Sequence, residues 1–339
     1  MAMVDLSSRR SGDTHLSSEP YHGIPPIIQC HTAIITPNQQ ENPSAAGDGI
    51  LCLIVRNNNL DTVTPCDIFA TMELAISTCY DYRVSFDKSL EYIRHAGFGV
   101  VSLGGKLSHS EYHKPEGRRM ISDVQQRTGI RIDSIHAPFG STADITQSEE
   151  ALRRSAVMDI KRCIAACKEL GVRIAILHLN SYRTDGISQR MKKVRESLSE
   201  LTSFAGENGV KVAAENLPGD NSLIILKYAL DLFGADCLGL CFDNGHAELH
   251  PEAFDLLDKY QDRLLALHLH DNDSVKDLHL LPFEGKCNLP NLAAQLNKAS
   301  SICPITIESE VTNSVHKNPE KFLAQAYEAG EKFTRMLKT

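Results

Sequence analysis

The sequence predicts a (β/α)8 (TIM) barrel, an α/β fold, over residues 72–339, with an irregular extension over residues 1–71 in front of it. From Met72 onward, eight short apolar runs alternate with amphipathic segments of helical length. Eight alternations in about 268 residues match the roughly 250 residues that this fold typically needs. A doubly wound open sheet is the main alternative, but the phosphate-binding glycine fingerprint that it often carries is absent.

The apolar runs give the predicted strands, and glycines such as Gly97, Gly171 and Gly209 close several of the helices, where a left-handed cap costs least. The predicted strands are ELAISTC (73–79), GVVSLG (99–104), IRIDSIHAP (130–138), VRIAILHLN (172–180), VKVAAENLP (210–218), LGLCFDNGH (238–246), LLALHLHDN (264–272) and PITIESE (304–310). The predicted helices include residues 86–96, 149–170, 188–207, 221–233, 251–260 and 319–337.

The extension has a different composition from the barrel region. Pro, Asn, Ser and Gly recur in residues 1–71, and neither a helical nor a strand period persists. We expect this region to be mostly disordered or loosely attached. The run GILCLIV (49–55) could form one strand, but we expect it to have no partner. Whether residues 1–71 belong to the native protein stays open, because the regular pattern starts at a methionine.

Composition and charge narrow the classes of partner. A formal net charge of -8 and a pI near 6.0 give no electrostatic reason to expect nucleic acid, whose partners usually carry a Lys and Arg excess. The ten cysteines lack C-x-x-C spacing, so we expect reduced thiols. No apolar signal segment or membrane-length run is present. We therefore expect a cytoplasmic protein without a membrane segment; its oligomeric state stays open.

From the third run onward, each predicted strand ends in a potential metal ligand. The carboxyl ends of barrel strands converge on one mouth, where such folds place their active sites. One histidine alone is usually a hydrogen-bonded structural residue, but carboxylates that face each other repel unless a cation neutralises them. We therefore predict a divalent-metal site, and imidazole with carboxylate suits Mn, Zn, Co or Fe(II). The residues are His136, His178, Glu215, Asp243 with His246, His268 with His270, and Glu308.

The order and spacing of several motifs resemble the xylose-isomerase-like barrel superfamily, which includes sugar and sugar-phosphate isomerases and epimerases and endonuclease IV. The motifs are IHAPFG, AILHLN, AAENLP, CFDNGHA, LHLHDND, DLHLLPFEG and ITIES. The resemblance implies that one divalent metal is held by Glu215, Asp243, His268 and Glu308. It also implies that Glu215 and Glu308 exchange a proton with the substrate as base and acid, and that His246 touches a substrate oxygen.

The endonuclease IV branch of this superfamily holds three zinc ions with a larger ligand set. Its additional ligands are matched here by His136, His178, His246, Asp277 and His279, so the resemblance allows one to three metal ions. His270 is left for contact with the substrate or with another ligand. Asp271 and Asp273 are expected to shape the loop that brings Asp277 and His279 back over the metal.

The preferred functional hypothesis is a divalent-metal-dependent isomerase or epimerase. Its substrate would be a sugar, sugar phosphate or related polyol ketone, with proton transfer through a metal-stabilised enediolate. A metal-dependent lyase or dehydratase is a close alternative, because it begins with the same proton removal. An abasic-site endonuclease with a trinuclear centre is the second alternative, although the acidic balance and the absence of Trp count against it. A barrel that only binds a sugar or partner is the third.

Overall fold

A computed structural model describes the barrel region at residues 73–180, 186–299 and 303–337, together with three short strands upstream. The chain divides into two compact units, Met1–Pro65 and Cys66–Thr339. The division lies a few residues before the boundary predicted at Met72. No helix in the described ranges is long and apolar enough to cross a membrane.

The second unit is a closed barrel of eight parallel strands, which confirms the predicted fold class. Each strand pairs in parallel with the next along the chain, and the last pairs with the first. All eight predicted runs contain one of these strands. They are β4 (Leu74–Ser77), β5 (Val100–Leu103), β6 (Arg131–His136), β7 (Ile174–Leu177), β8 (Lys211–Glu215), β9 (Leu238–Asp243), β10 (Leu264–Leu269) and β11 (Ile305–Ile307).

Helices connect successive strands on the outside of the barrel. They are α1 (Phe86–His95), α2 (Leu107–Ser110), α3 (Pro115–Thr128), α4 (Glu150–Glu169), α5 (Ile187–Glu207), α6 (Asp220–Leu232), α7 (Asn244–Leu249), α8 (Asp255–Tyr260), α9 (Leu289–Leu296) and α10 (Pro319–Met336). The longer helices that the sequence did not single out are α3 and α9. Both carry Pro in the first turn, a helix-start signal.

Two predicted boundaries need correction. The run 238–246 was predicted as one strand, but β9 ends at Asp243, whose side chain accepts a hydrogen bond from the backbone N–H of His246 and so caps α7. The helix predicted over 251–260 begins as a 3-10 turn, Pro251–Phe254, before it becomes α8.

The first unit contains a three-stranded antiparallel sheet of β1 (Cys30–His31), β2 (Cys52–Arg56) and β3 (Asn59–Val63). The run GILCLIV does contribute a strand, β2. The expectation that this strand has no partner was wrong, because β2 pairs with β1 on one side and with β3 on the other. A short hairpin supplies the partner locally. The rest of the predicted disorder lies outside the described residues.

A small apolar layer inside the barrel sets the depth of the mouth. Ile176, Ala213, Cys241 and Ala266 form a buried cluster distinct from the main core between strands and helices. Each lies two positions before one of the predicted site residues, namely His178, Glu215, Asp243 and His268. Because strand side chains alternate faces, residues two apart point the same way, and the site residues form the next layer toward the carboxyl ends.

Candidate metal centre

The strand ends of β8, β9, β10 and β11 bring three carboxylates around one imidazole. Nδ1 of His268 lies 2.8 Å from Oε2 of Glu308, 3.4 Å from Oε1 of Glu215 and 3.8 Å from Oδ2 of Asp243. Strand pairing explains the convergence, since His268 lies opposite Asp243 in the register of β9 and β10. We call Glu215, Asp243, His268 and Glu308 the inner group.

The inner group has the chemistry of a cation site. Both ring nitrogens of His268 are buried, and neither makes a well-aligned hydrogen bond to a described residue, although Glu308 lies within ion-pair distance of Nδ1. Such orphaned nitrogens are rare in a folded interior. Three buried carboxylates next to each other would repel, and a divalent ion would both neutralise them and occupy the free lone pair of Nδ1. The residues present therefore fit a bound divalent metal.

A second group forms on the other side of Glu215. Nε2 of His136 lies 3.0 Å from Oε2 of Glu215, and Nε2 of His178 lies 3.3 Å from the same oxygen. Nδ1 of His136 donates to the backbone oxygen of Ala137 at 2.7 Å. This contact fixes the ring and turns Nε2 toward the carboxylate, the orientation that metal-binding histidines commonly have. We call His136, His178 and Glu215 the second group.

A third group lies over the mouth, on α7 and on the long loop after β10. Oδ2 of Asp277 lies 3.1 Å from Nε2 of His246 and 3.3 Å from Nε2 of His279. The Nδ1 atoms of these two histidines donate to the backbone oxygens of Asn216 and Glu308, at 2.8 and 2.7 Å. Both rings therefore present Nε2 to Asp277. We call His246, Asp277 and His279 the third group.

The backbone at His279 is strained to make this arrangement. Its φ is +46°, in the left-handed region that residues other than glycine rarely adopt. Such strain is often found at functional sites, where the surrounding structure maintains it. Here the hydrogen bond from Nδ1 to the Glu308 backbone holds the ring in place.

The charges of these groups are strongly interdependent. Burial alone would raise the pKa of Asp243, but the imidazoles of His246 and His270 outweigh it and lower the pKa to about 2. Burial alone would lower the pKa of His246 and His279; the neighbouring carboxylates, Asp277 among them, instead raise these values to about 9 and about 10. In the absence of a metal, protons thus occupy the positions that a cation would take.

Cys241 lies beneath the inner group and close to Glu215 and His268. Burial raises the pKa of its thiol to about 12. A metal ligand must be the thiolate, so a thiol that stays protonated is a poor ligand. Cys241 would therefore have to lose this proton before it could hold an ion together with Glu215 and His268.

All of the predicted site residues come together at this mouth, where a cavity of about 180 Å³ is lined by some of them, namely His136, His178, Glu215, His246, Asp277, His279 and Glu308. Its opposite wall was missed by the sequence reasoning and contains Cys79, Tyr82, Gly104, Gly105 and Phe139. A Cβ atom on Gly104 would lie 2.4 Å from the Tyr82 hydroxyl, and one on Gly105 would lie 3.0 Å from the Phe139 ring. The glycines give the two aromatic rings room at the cavity. The site prediction relied on ligand-type residues at the ends of the later strands, and none of these five residues has that position.

Three known proteins illustrate what this chain is similar to. It is 23% identical to fructoselysine 3-epimerase of Shigella flexneri over 233 residues, which cover 65% of this chain and 84% of the relative. It is 26% identical to a probable endonuclease 4 of Mycoplasma capricolum subsp. capricolum over 166 residues, which cover 43% of this chain and 54% of the relative. The crystal structure of a D-tagatose 3-epimerase-like protein superposes with a TM-score of 0.68 at 22% identity, covering 78% of this chain and 98% of that one.

The family model described as xylose isomerase-like TIM barrel matches residues 90–332, which is most of the barrel unit. Seven of the eight barrel strands and all of the candidate site residues lie within this region, and β4 precedes it. The chain therefore belongs to the xylose isomerase-like TIM barrel family.

Proposed function

We propose that this protein is a divalent-metal-dependent isomerase or epimerase of a sugar, sugar phosphate or related polyol ketone. The observation that carries the proposal is the inner group, where Glu215 and Glu308 both contact the orphaned Nδ1 of His268 and line the cavity. The names of the epimerases among the similar proteins support the same chemistry. A cavity of about 180 Å³ is smaller than the 300 to 1,000 Å³ of pockets for drug-sized ligands, and this favours a small substrate.

The proposed roles of the residues follow from their positions. Glu215, Asp243, His268 and Glu308 would hold the ion. When bound, a divalent ion would supply Lewis-acid stabilisation of negative charge on adjacent substrate oxygens. Glu215 would remove the proton from the carbon next to a carbonyl and pass it to solvent. Glu308, itself a carboxylate at rest, would take up a proton from solvent and deliver it to the other side of that carbon.

The electrostatics suit these two glutamates as proton acceptors. Burial opposes ionisation of Glu215 and Glu308, but the surrounding imidazoles outweigh burial and lower both pKa values below the ordinary range. Both side chains are therefore carboxylates at neutral pH. His246 lines the cavity, with its Nε2 3.1 Å from Asp277, and it would contact a substrate oxygen.

The proposal is tested by solvent exchange. Purified protein loaded with Mn²⁺ or Co²⁺ is incubated in D2O with D-tagatose, D-fructose or D-psicose, and deuterium at the carbon next to the carbonyl is followed by NMR. Glu215→Gln and Glu308→Gln are expected to lower the exchange rate by about 10²- to 10⁴-fold, the usual contribution of general acid–base catalysis. Metal content is measured in parallel, because both residues would also be ligands.

Glu252→Gln, at an exposed position, is the matched control and should exchange normally. Full activity and full metal content in both site variants would overturn the assignment of Glu215 and Glu308. The products also separate isomerase or epimerase chemistry from the lyase or dehydratase alternative, since elimination gives a product with one water fewer or a cleaved carbon chain.

A second candidate function is an abasic-site endonuclease with three metal ions. The second and third groups favour it, because together with the inner group they provide ligands for three ions. The similarity to a probable endonuclease 4 points the same way over part of the chain. The test is cleavage of a duplex that contains an abasic site. Cleavage that rises with Zn²⁺ and disappears with EDTA would place this function ahead of the first.

A further inference from the structure

His270 lies beside the inner group without belonging to it. Its ring is fully buried, and Nε2 lies 3.0 Å from Oδ1 and 3.2 Å from Oδ2 of Asp243. Nδ1 is also buried, and no described residue forms a hydrogen bond with it. A proton on Nδ1 would be a buried donor without an acceptor, which is costly. In its neutral form the ring therefore carries its proton on Nε2 and donates it to the Asp243 carboxylate.

The stacking of His270 on His279 argues against a role as a metal ligand in the third group. The ring centroids are 4.1 Å apart, and the ring planes differ by 13°. An imidazole binds a metal through a lone pair in its own plane, at about 2.0–2.1 Å for zinc. Two nearly parallel rings at this separation cannot both contain the same ion in their planes. Nε2 of His270 is also within reach of the third group, at 3.9 Å from Asp277, but Nε2 of His279 is closer at 3.3 Å, so we assign His279 and not His270 to that ion.

A glycine gives His270 its position. A Cβ atom on Gly245 would lie 1.9 Å from Cε1 of His270 and 2.5 Å from each ring nitrogen. Gly245 lies in α7 and its φ is not in the left-handed region, so the glycine is needed here for space. The backbone of His270 is also held in place, because Asn244 accepts from its N–H at 2.9 Å and donates to its carbonyl at 3.0 Å.

These contacts hold Asp243 mainly through Oδ1, because Nε2 of His270 is closer to Oδ1 than to Oδ2 and a backbone N–H also reaches Oδ1. Oδ1 accepts from the backbone N–H of His246 at 2.8 Å and from Nε2 of His270 at 3.0 Å. Oδ2 is the oxygen that faces Nδ1 of His268. We propose that His270 is a positioning residue that orients Asp243 as a metal ligand, and that Gly245 provides the space for its ring.

The test measures metal affinity by competition with a chelator, using Co²⁺ and Mn²⁺ as probes. Loss of a hydrogen bond to a ligand typically weakens metal binding 10- to 100-fold, and we expect this range for His270→Leu and Gly245→Ala. His270→Gln can place an amide N–H near the position of Nε2 and should restore most of the affinity. His270→Asn, whose amide reaches only the level of Nδ1, should not. The Co²⁺ absorption spectrum should change in the weakened variants, because the geometry around the ion depends on Asp243.

His95→Leu, at an exposed position on α1, is the matched control and should bind both ions as the wild type does. Wild-type affinity in His270→Leu would overturn the proposal. Loss of one complete ion at saturating metal would also overturn it, because that result identifies a ligand. If His270→Leu does not fold, the Gln and Asn variants decide, and equal affinities in that pair would contradict the proposal.

This inference rests on the metal centre of the proposed function, but the two can fail separately. A protein whose metal affinity depends on His270 and which exchanges no ketose proton would keep the positioning role and lose the proposed reaction. A protein that exchanges the proton with the same metal affinity in all His270 variants would do the reverse.

Discussion

His268 and His270 are two residues apart on one strand, yet their surroundings differ. In the part of the chain that the structure describes, neither ring nitrogen of His268 makes a well-aligned hydrogen bond, whereas Nε2 of His270 donates to Asp243. We therefore expect His268→Ala to lose the metal of the inner group even at high metal concentration. His270→Ala should still bind that metal when the concentration is raised, although more weakly. Elemental analysis after dialysis at two metal concentrations checks both results, and equal retention by the two variants would contradict them.

Proton competition should govern metal binding in the third group. The pKa values of His246 and His279 are raised to about 9 and about 10, so at pH 7 each metal-free ring holds a proton. A ligand must lose its proton to bind a metal. The apparent affinity should therefore rise from pH 7 to about pH 10 and then level off, with protons released on binding. Calorimetry in buffers of different ionisation enthalpy measures this release, and a pH-independent affinity would argue against a metal in the third group.

At the scale of elements, the loop after β10 is organised by one carboxylate. Asp271 accepts backbone N–H groups from Asn272, Phe283 and Cys287 at 2.9, 3.0 and 2.8 Å. Among the described residues, Asp273 accepts only from Val275 and Lys276 near the exposed tip. Both residues shape the loop as the sequence suggested, but Asp271 ties together its two ends.

Asp271→Ala should therefore disturb the third group more than the inner group. Buried donors left without an acceptor cost about 1–3 kcal/mol, so we expect a loss of stability of that order together with weaker metal binding by Asp277 and His279. Asp273→Ala, which frees only N–H groups that water can reach, is the control and should have little effect. Chemical denaturation and metal stoichiometry measure the two consequences. An unchanged stoichiometry in Asp271→Ala would show that the loop is held by other contacts.

The sequence predicted best those elements whose hydrophobic residues follow one clear pattern. The barrel strands are mostly apolar runs, and β9 and β10 are buried on both faces or nearly so, so the runs alone predicted the strand positions. Polar residues at the ends of those runs then predicted the ligand wall, because strand ends in a barrel converge. The aromatic wall could not be predicted in this way. This wall forms where separate loops pack together and bring Tyr82, Gly105 and Phe139 close to each other. The sequence near a glycine does not show that its missing side chain makes room for an aromatic ring.

The two compact units make a prediction at the scale of the whole molecule. The barrel unit contains every residue of the three candidate groups and a continuous apolar core. A chain that begins at Cys66 should therefore fold, bind metal with the same stoichiometry and melt at the same temperature as the full chain. Circular dichroism and elemental analysis test this. A lower melting temperature or an aggregated barrel would show that residues 1–65 stabilise the fold.

Metal removal should destabilise the barrel as a whole. A ligand that binds only the folded state stabilises it by about 2.7 kcal/mol when its free concentration is 100-fold above Kd. With an unfolding entropy of about 2.1 cal/mol/K per residue, this corresponds to roughly 4–5 °C in melting temperature for a chain of this size. Treatment with EDTA should lower the melting temperature by this amount, and readdition of Mn²⁺, Co²⁺ or Zn²⁺ should restore it. In His268→Ala, the part of this change in melting temperature that comes from metal in the inner group should be absent.

Glu215 belongs to both the inner group and the second group, so the number of bound metal ions affects its chemistry. Its Oε1 faces His268, and its Oε2 faces both His136 and His178. A carboxylate with a cation on each oxygen is a weak base. Filling the second group would therefore oppose proton abstraction and at the same time complete a multinuclear centre suited to hydrolysis. The abundance of free metal, rather than any change in sequence, would then decide which of two reactions the same set of side chains can perform.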